Sequence, residues 1–137
     1  MPLDDVSRSP APVVLVVDDD AAVRDVVRRF LEADGYVVHQ AESGRRALEL
    51  LRQGIAVSAV ITDLIMPEGS GGWLLAQLAY EFPRLLPCIV LVSGNAGSTG
   101  AAHVAVRWRT PVLPKPFTSA QLITAVRHVA ERQVDTA

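Results

Sequence analysis

A single cysteine among 137 residues excludes an intrachain disulfide and any metal site built from cysteines. That residue, Cys88, lies in the run Cys88-Ile89-Val90-Leu91-Val92, where a thiol reads as a small buried hydrophobe rather than a reactive nucleophile. Aromatic residues make up only 5% of the chain, so its core must be largely aliphatic. No apolar stretch approaches the roughly 20 residues that span a bilayer. The opening segment, Met1 to Pro12, lacks the basic and apolar regions of a secretory signal. These absences lead to the expectation of a cytoplasmic protein with no membrane insertion. The formal net charge is only -2, without a basic stripe, which argues against direct nucleic-acid binding.

What remains is a half-apolar composition and enough length for one domain with a substantial core. The domain is expected over residues 12–132, with a flexible N-terminal tail at 1–11 and a C-terminal tail at 133–137. Five short apolar runs predict buried strands: Val13 to Val17, Tyr36 to His39, Val57 to Thr62, Cys88 to Val92, and Val112 to Leu113. Helical periodicity fills the intervals. Val23, Val26, Val27, Phe30 and Leu31 make one apolar stripe between an Asp20 cap and a Gly35 stop. A second helix is expected from the Ser43 cap to Gly54, and a third from near Ser70 to Phe82, ended by Pro83.

The segment Gly94 to Thr110 carries glycines at 94, 97 and 100, each costing about 1 kcal/mol inside a helix, so a short or mobile fourth helix is expected there. Thr118 with Gln121 forms a capping box before Leu122, Ile123, Val126, Val129 and Ala130. Strands alternating with helices predict an α/β, doubly wound sandwich around a five-stranded parallel sheet.

In such sheets the ligand crevice lies beyond the carboxyl ends of the strands. The residues expected there are Asp18, Asp19 and Asp20 after the first strand, Asp63 at the end of the third, Ser93 at the end of the fourth, and Lys115 after the fifth. Clustered carboxylates repel one another unless a cation neutralises them. An oxygen-only donor set suits a hard ion, Mg²⁺ rather than Ca²⁺, which would need more protein oxygens. Asp63, alone at its strand end, is the better candidate for a nucleophile that forms an acyl phosphate. Lys115 is the only lysine beside twelve arginines, and its compact ammonium fits beside a carboxylate or a single phosphoryl oxygen. It stands between Pro114 and Pro116, where a cis Lys115-Pro116 bond is expected. The Ser93 hydroxyl is placed to donate to a phosphoryl oxygen.

The motifs Val16-Val17-Asp18-Asp19, Asp63-Leu64-Ile65-Met66-Pro67 with Gly71 beyond, Ser93-Gly94 and Lys115-Pro116-Phe117 are separated by 44, 30 and 22 residues between Asp19, Asp63, Ser93 and Lys115. In order and spacing the chain resembles the receiver domain of two-component response regulators, from about Val13 to His128. The resemblance implies a flavodoxin-like (βα)5 fold and phosphorylation of Asp63 from the phosphohistidine of a sensor histidine kinase or phosphotransfer protein. It implies Mg²⁺ held by Asp19, Asp63 and the backbone carbonyl of Ile65, with Asp18 acting through water. Ser93 and Lys115 would close on the phosphoryl group and signal to a face of the fourth helix, fifth strand and fifth helix, where an effector or a second copy would bind. The implied role is that of a phosphoacceptor, not an enzyme, either stand-alone or as the receiver of a hybrid kinase.

Two positions depart from the family pattern. Val112 stands where an aromatic switch residue is common, with Trp108 nearby as a substitute or as simple packing. Ile65 stands where many relatives carry a polar side chain, so a long-lived acyl phosphate is expected, with Asn95 as a second influence. Two other readings compete: a haloacid-dehalogenase-like phosphatase using Asp18 as nucleophile, and a receiver-like binding module that is never phosphorylated.

Overall fold

The computed structural model describes residues 11–66, 70–94 and 99–135. Five strands, β1 (Val13–Val17), β2 (Val37–Ala41), β3 (Ala59–Asp63), β4 (Ile89–Ser93) and β5 (Val112–Pro114), alternate with five helices. These are α1 (Ala21–Ala33), α2 (Gly44–Arg52), α3 (Gly71–Glu81), α4 (Thr99–Trp108) and α5 (Ser119–Asp135). All strand pairs are parallel, in the order β2-β1-β3-β4-β5, the flavodoxin-like order with its switch point between β1 and β3. The expected doubly wound sheet is therefore present.

Alternation along each strand divides the core in two. Val14, Val16, Ala59, Ile61, Val90 and Val92 face α1 and α5. Leu15, Val17, Val60, Ile89 and Leu91 face the opposite layer with α2 and α3. A parallel strand is buried on both sides, which explains why these segments read as unbroken apolar runs. Among the described residues, no helix is long and apolar enough to cross a membrane.

The helix ends follow the local chemistry. Asp20 accepts from the Ala22 and Val23 amides, Ser43 from Arg46 and Ser70 from Trp73. Thr118 and Gln121 exchange hydrogen bonds at 2.8 and 3.1 Å. Gly35 and Gly54 take φ of 93° and 101° just beyond α1 and α2, the left-handed conformation that ends helices at glycine.

Several boundaries differ from expectation. β2 begins at Val37 because the Tyr36 amide instead closes the end of α1 through Leu31. A 3-10 helix, Pro83–Cys88, stands between α3 and β4; its two prolines hide the turn from a periodicity argument. α4 runs for 10 residues, one more than α2, and carries Gly100 inside it. α5 continues to Asp135, past residue 132. Val26, counted on the buried stripe of α1, is 46% exposed, whereas Val27 and Leu31 are buried. The N-terminal ten residues, Pro67 and Asn95 lie outside the described residues.

The start of α3 meets the end of β3 at unusually close range. The Gly71 amide donates to the Leu64 carbonyl at 2.9 Å. A Cβ on Gly71 would lie 2.7 Å from the Asp63 carbonyl oxygen and 2.9 Å from Leu64 Cα. At Gly72 the corresponding nearest atom, Val104 Cγ2, is 3.9 Å away. Gly71→Ala is therefore expected to lose about 1–3 kcal/mol through backbone displacement, while Gly72→Ala is neutral or gains up to about 1 kcal/mol from helix propensity. Urea unfolding of the two variants measures the contrast, and equal midpoints would refute the close-approach argument.

Candidate functional site

β1 and β3 pair in register Val17 to Thr62, so Asp18 and Asp63 emerge side by side from the sheet edge. Each is two positions beyond a residue packed against α1 and α5, Val16 and Ile61 respectively. Their carboxylates therefore issue toward the same side. One ligand oxygen each from Asp18, Asp19 and Asp63 lies within 4.8 Å of the others. The Asp18 carboxylate is buried, that of Asp63 is partly buried, and Asp19 is exposed.

Lys115 enters from the end of β5. Its backbone amide donates to the Ser93 carbonyl at 2.9 Å, and the Lys115-Pro116 peptide is cis, as expected. The ammonium reaches back across the edge: Nζ donates to Asp63 Oδ2 at 3.2 Å and to Asp18 Oδ2 at 3.4 Å. Burial works against the Lys115 charge, but the hydrogen bond it donates to Asp63 and the fields of Asp18 and Asp63 outweigh it, and its pKa is raised. Asp18 is also pushed up, chiefly by burial and secondarily by the neighbouring Asp63 charge, against the lowering effects of the Asp20 amide and Lys115. One ammonium thus leaves the acidic cluster incompletely neutralised.

The loop after β3 is shaped around Asp63. The Ile65 amide donates to Asp63 Oδ1 at 3.3 Å, and the Thr62 hydroxyl donates to the Asp63 carbonyl at 3.0 Å. The Ile65 side chain is 67% exposed at the rim. Ser93 is buried at the end of β4, one residue beyond Val92, the register partner of Asp63.

Residues 14–127 match the response regulator receiver domain family. The chain belongs to that family. Its function is accordingly that of a phosphoacceptor receiver domain rather than of a haloacid-dehalogenase-like phosphatase. Sensor kinase CckA of Brucella abortus is 38% identical over 126 residues, which cover 91% of this chain and 13% of the kinase. Response regulator MprA of Mycolicibacterium vanbaalenii is 36% identical over 119 residues, covering 87% of this chain and 50% of that protein. The receiver domain thus spans half or less of these curated relatives. The solved receiver domain protein of Clostridium thermocellum superposes with a TM-score of 0.83 at 26% identity, covering 92% of this chain and 99% of that one.

The receiver domain brings five of the sequence-derived candidates, Asp18, Asp19, Asp63, Ser93 and Lys115, to one sheet edge. Asp20 is not among them, since its carboxylate caps α1. Val112 is half-buried and packs, together with Trp108, against the core layer of α2 and α3. The Arg107 guanidinium lies 5.0 Å from the Trp108 ring centre.

Sequence reasoning missed Arg24, whose Nη1 donates to the Asp18 carbonyl at 2.6 Å and whose Nε donates to Gln40 Oε1 at 3.3 Å. A signal was present: a cation in the first turn of a helix opposes the helix dipole, so Arg24 needs a local acceptor. Also missed was a cavity of about 480 Å³ beside Lys115, lined by Val23, Val26, Phe30, Pro116 and Phe117.

The raised pKa of Asp18 has a definite stability sign. A carboxyl whose folded pKa exceeds its unfolded value binds more protons when folded, so stability is lost as pH rises from the unfolded toward the folded pKa. Metal-free Asp18→Asn should therefore melt a few degrees above the parent at pH 7, with the difference vanishing below about pH 4. Asparagine can still accept from the Asp20 amide, which meets Asp18 Oδ1 at 2.9 Å. Melting curves across pH check this, and a lower melting point at pH 7 would count against it.

Proposed function

We propose that Asp63 is the phosphoacceptor of this receiver domain and that Asp18, Asp19 and Asp63 hold Mg²⁺ beside it, with the Ile65 carbonyl as a further ligand. The observation that carries the reading is the Lys115 ammonium shared between Asp63 and Asp18 at 3.2 and 3.4 Å, at the same edge as Asp19. The donor set fits the ion: three carboxylate oxygens within 4.8 Å, and no nitrogen or sulfur ligand among them, suit a hard divalent cation that keeps several waters. When bound, Mg²⁺ supplies charge neutralisation to the phosphoryl oxygens.

The chain's own residues account for the remaining chemistry. An Asp63 carboxylate oxygen attacks phosphorus in line, the O–P bond forms as the P–N bond to the donor imidazole breaks, and the electron pair leaves with the ring nitrogen. The Ile65 amide holds Oδ1, which leaves Oδ2, the oxygen facing Lys115, as the one nearer a cation. Once the acyl phosphate has formed, Lys115 pairs with a phosphoryl oxygen and Ser93 donates to another, turning an acidic pocket into an ordered anion site. The face of α4, β5 and α5, where Val106 is 79% exposed, carries the signal to an effector or to a second copy of the chain. The apolar cavity beside Lys115 supports docking of the phosphodonor, a cytoplasmic sensor histidine kinase or phosphotransfer protein.

Incubation with acetyl phosphate and Mg²⁺ should add one phosphoryl group to the Asp63 peptide, and mass spectrometry reads it directly. Chelation of Mg²⁺ or Asp63→Asn should abolish the label. A label on Asp18 would instead favour the phosphatase reading. A partner interaction indifferent to Asp63→Asn, together with no label at all, would favour a binding module.

Ile65 sets the expected lifetime of the product. An exposed branched apolar side chain beside the phosphoryl group offers no hydrogen bond to orient an attacking water. Ile65→Asn should therefore dephosphorylate faster than the parent, by up to about a hundredfold, the lower end of general acid–base effects. An unchanged or slower loss of the label would sink this account of Ile65.

A further inference from the structure

The carboxylates of Asp18 and Asp19 belong to consecutive residues, and side chains of consecutive residues in an extended strand point to opposite faces. Both nevertheless place an oxygen within 4.8 Å of the other and of Asp63. The chain must therefore leave the extended conformation at the peptide that joins them. That peptide's carbonyl is Asp18 O, the acceptor of the 2.6 Å hydrogen bond from Arg24 Nη1. The same guanidinium donates through Nε to Gln40 Oε1 at the end of β2, so α1, the loop after β1 and the neighbouring strand are held together by one planar fork.

We propose that Arg24 is a positioning residue for the divalent cation: it fixes the plane of the Asp18–Asp19 peptide and so aims both carboxylates at one ion. The inference rests on the reading of Asp18, Asp19 and Asp63 as the Mg²⁺ site. Two further contacts limit the ways the loop can relax. The Asp20 amide donates to Asp18 Oδ1 at 2.9 Å, which fixes the Asp18 side chain relative to the following turn. Asp20 itself caps α1 through the Ala22 and Val23 amides. The only long side chain that grips the intervening carbonyl, among the described residues, is Arg24.

The position of Arg24 also separates this role from simple electrostatics. A guanidinium beside an acidic cluster repels a divalent cation, so on charge alone its removal would tighten Mg²⁺ binding. Positioning requires the opposite. Loss of an outer-sphere partner of this kind weakens metal affinity by about tenfold or more.

Mg²⁺ titration by isothermal calorimetry of the full chain decides between them. Arg24→Met keeps the apolar stem and removes the donors, and it should bind Mg²⁺ about tenfold more weakly than the parent. Arg127→Met serves as the control for a purely structural effect, because it breaks the Arg127–Asp34 ion pair at the far end of α1 and should leave Mg²⁺ affinity unchanged. Arg24→Lys keeps the charge but cannot hold the carbonyl and Gln40 together, and should fall between parent and Arg24→Met. If Arg24→Met does not fold by circular dichroism, Arg24→Lys alone carries the decision.

Mg²⁺ binding by the Arg24 variant as tight as, or tighter than, the parent overturns the inference and leaves the metal site standing. Equal weakening by Arg127→Met assigns the effect to stability and also overturns it. Unaltered Mg²⁺ binding in Asp19→Asn overturns the site itself, and the role of Arg24 with it.

Discussion

The ammonium of Lys115, held between the carboxylates of Asp63 and Asp18, is the interaction on which the geometry of this domain turns. Three carboxylates at one sheet edge repel one another, and burial of Asp18 makes its charge costlier still. Lys115 supplies a single counter-charge and leaves a deficit. That deficit is what the proposed divalent cation would neutralise, and without it the same edge would repel the negative charge that a phosphoryl group brings to Asp63. In the proposed switch, cation and phosphoryl group both act on this one charge balance, which Lys115 alone leaves open.

A parallel sheet makes such a meeting possible without long-range design of individual side chains. Alternation along β1 and β3 sends Val14, Val16, Ala59 and Ile61 to the layer of α1 and α5, and two further residues along each strand reach Asp18 and Asp63. The core register and the site register are therefore one constraint. A one-residue slip of β3 against β1 would turn Ile61 out of its layer and Asp63 away from Lys115 together. The aliphatic core, with both strand faces covered, provides the penalty that forbids the slip.

Much of this was legible because strand ends in a parallel sheet converge by topology. Reading Asp18, Asp63, Ser93 and Lys115 as the residues that leave their strands was enough to place them on one rim. Caps were legible too, since Asp20, Ser43, Ser70 and Thr118 act within three residues of their own position. What escaped were contacts set by tertiary proximity. The hold of Arg24 on the Asp18 carbonyl depends on where α1 starts relative to β2. The exposure of Val26 depends on α1 lying beside the loop of Pro116 and Phe117, which no periodicity reports. The 3-10 helix escaped because Pro83 and Pro87 read as breakers when both are accommodated in a tighter turn.

The residues that break local rules lie close to Asp63. Asp18 is a buried acid, Arg24 is a cation at the positive end of a helix, and Gly71 stands at a helix start with no room for a Cβ against the Asp63 carbonyl. Each is unfavourable by itself, and each is compensated by one of the others or by the backbone that bears Asp63. Such local conflicts concentrate where function demands them. The helix α5 illustrates the reverse: a reciprocal capping box, a fully buried stripe of Leu122, Val126 and Val129, and an exposed ion pair from Arg127 to Asp34. The domain therefore joins a locally consistent scaffold to a rim where local preferences conflict, and the charge of Asp63 lies within that rim.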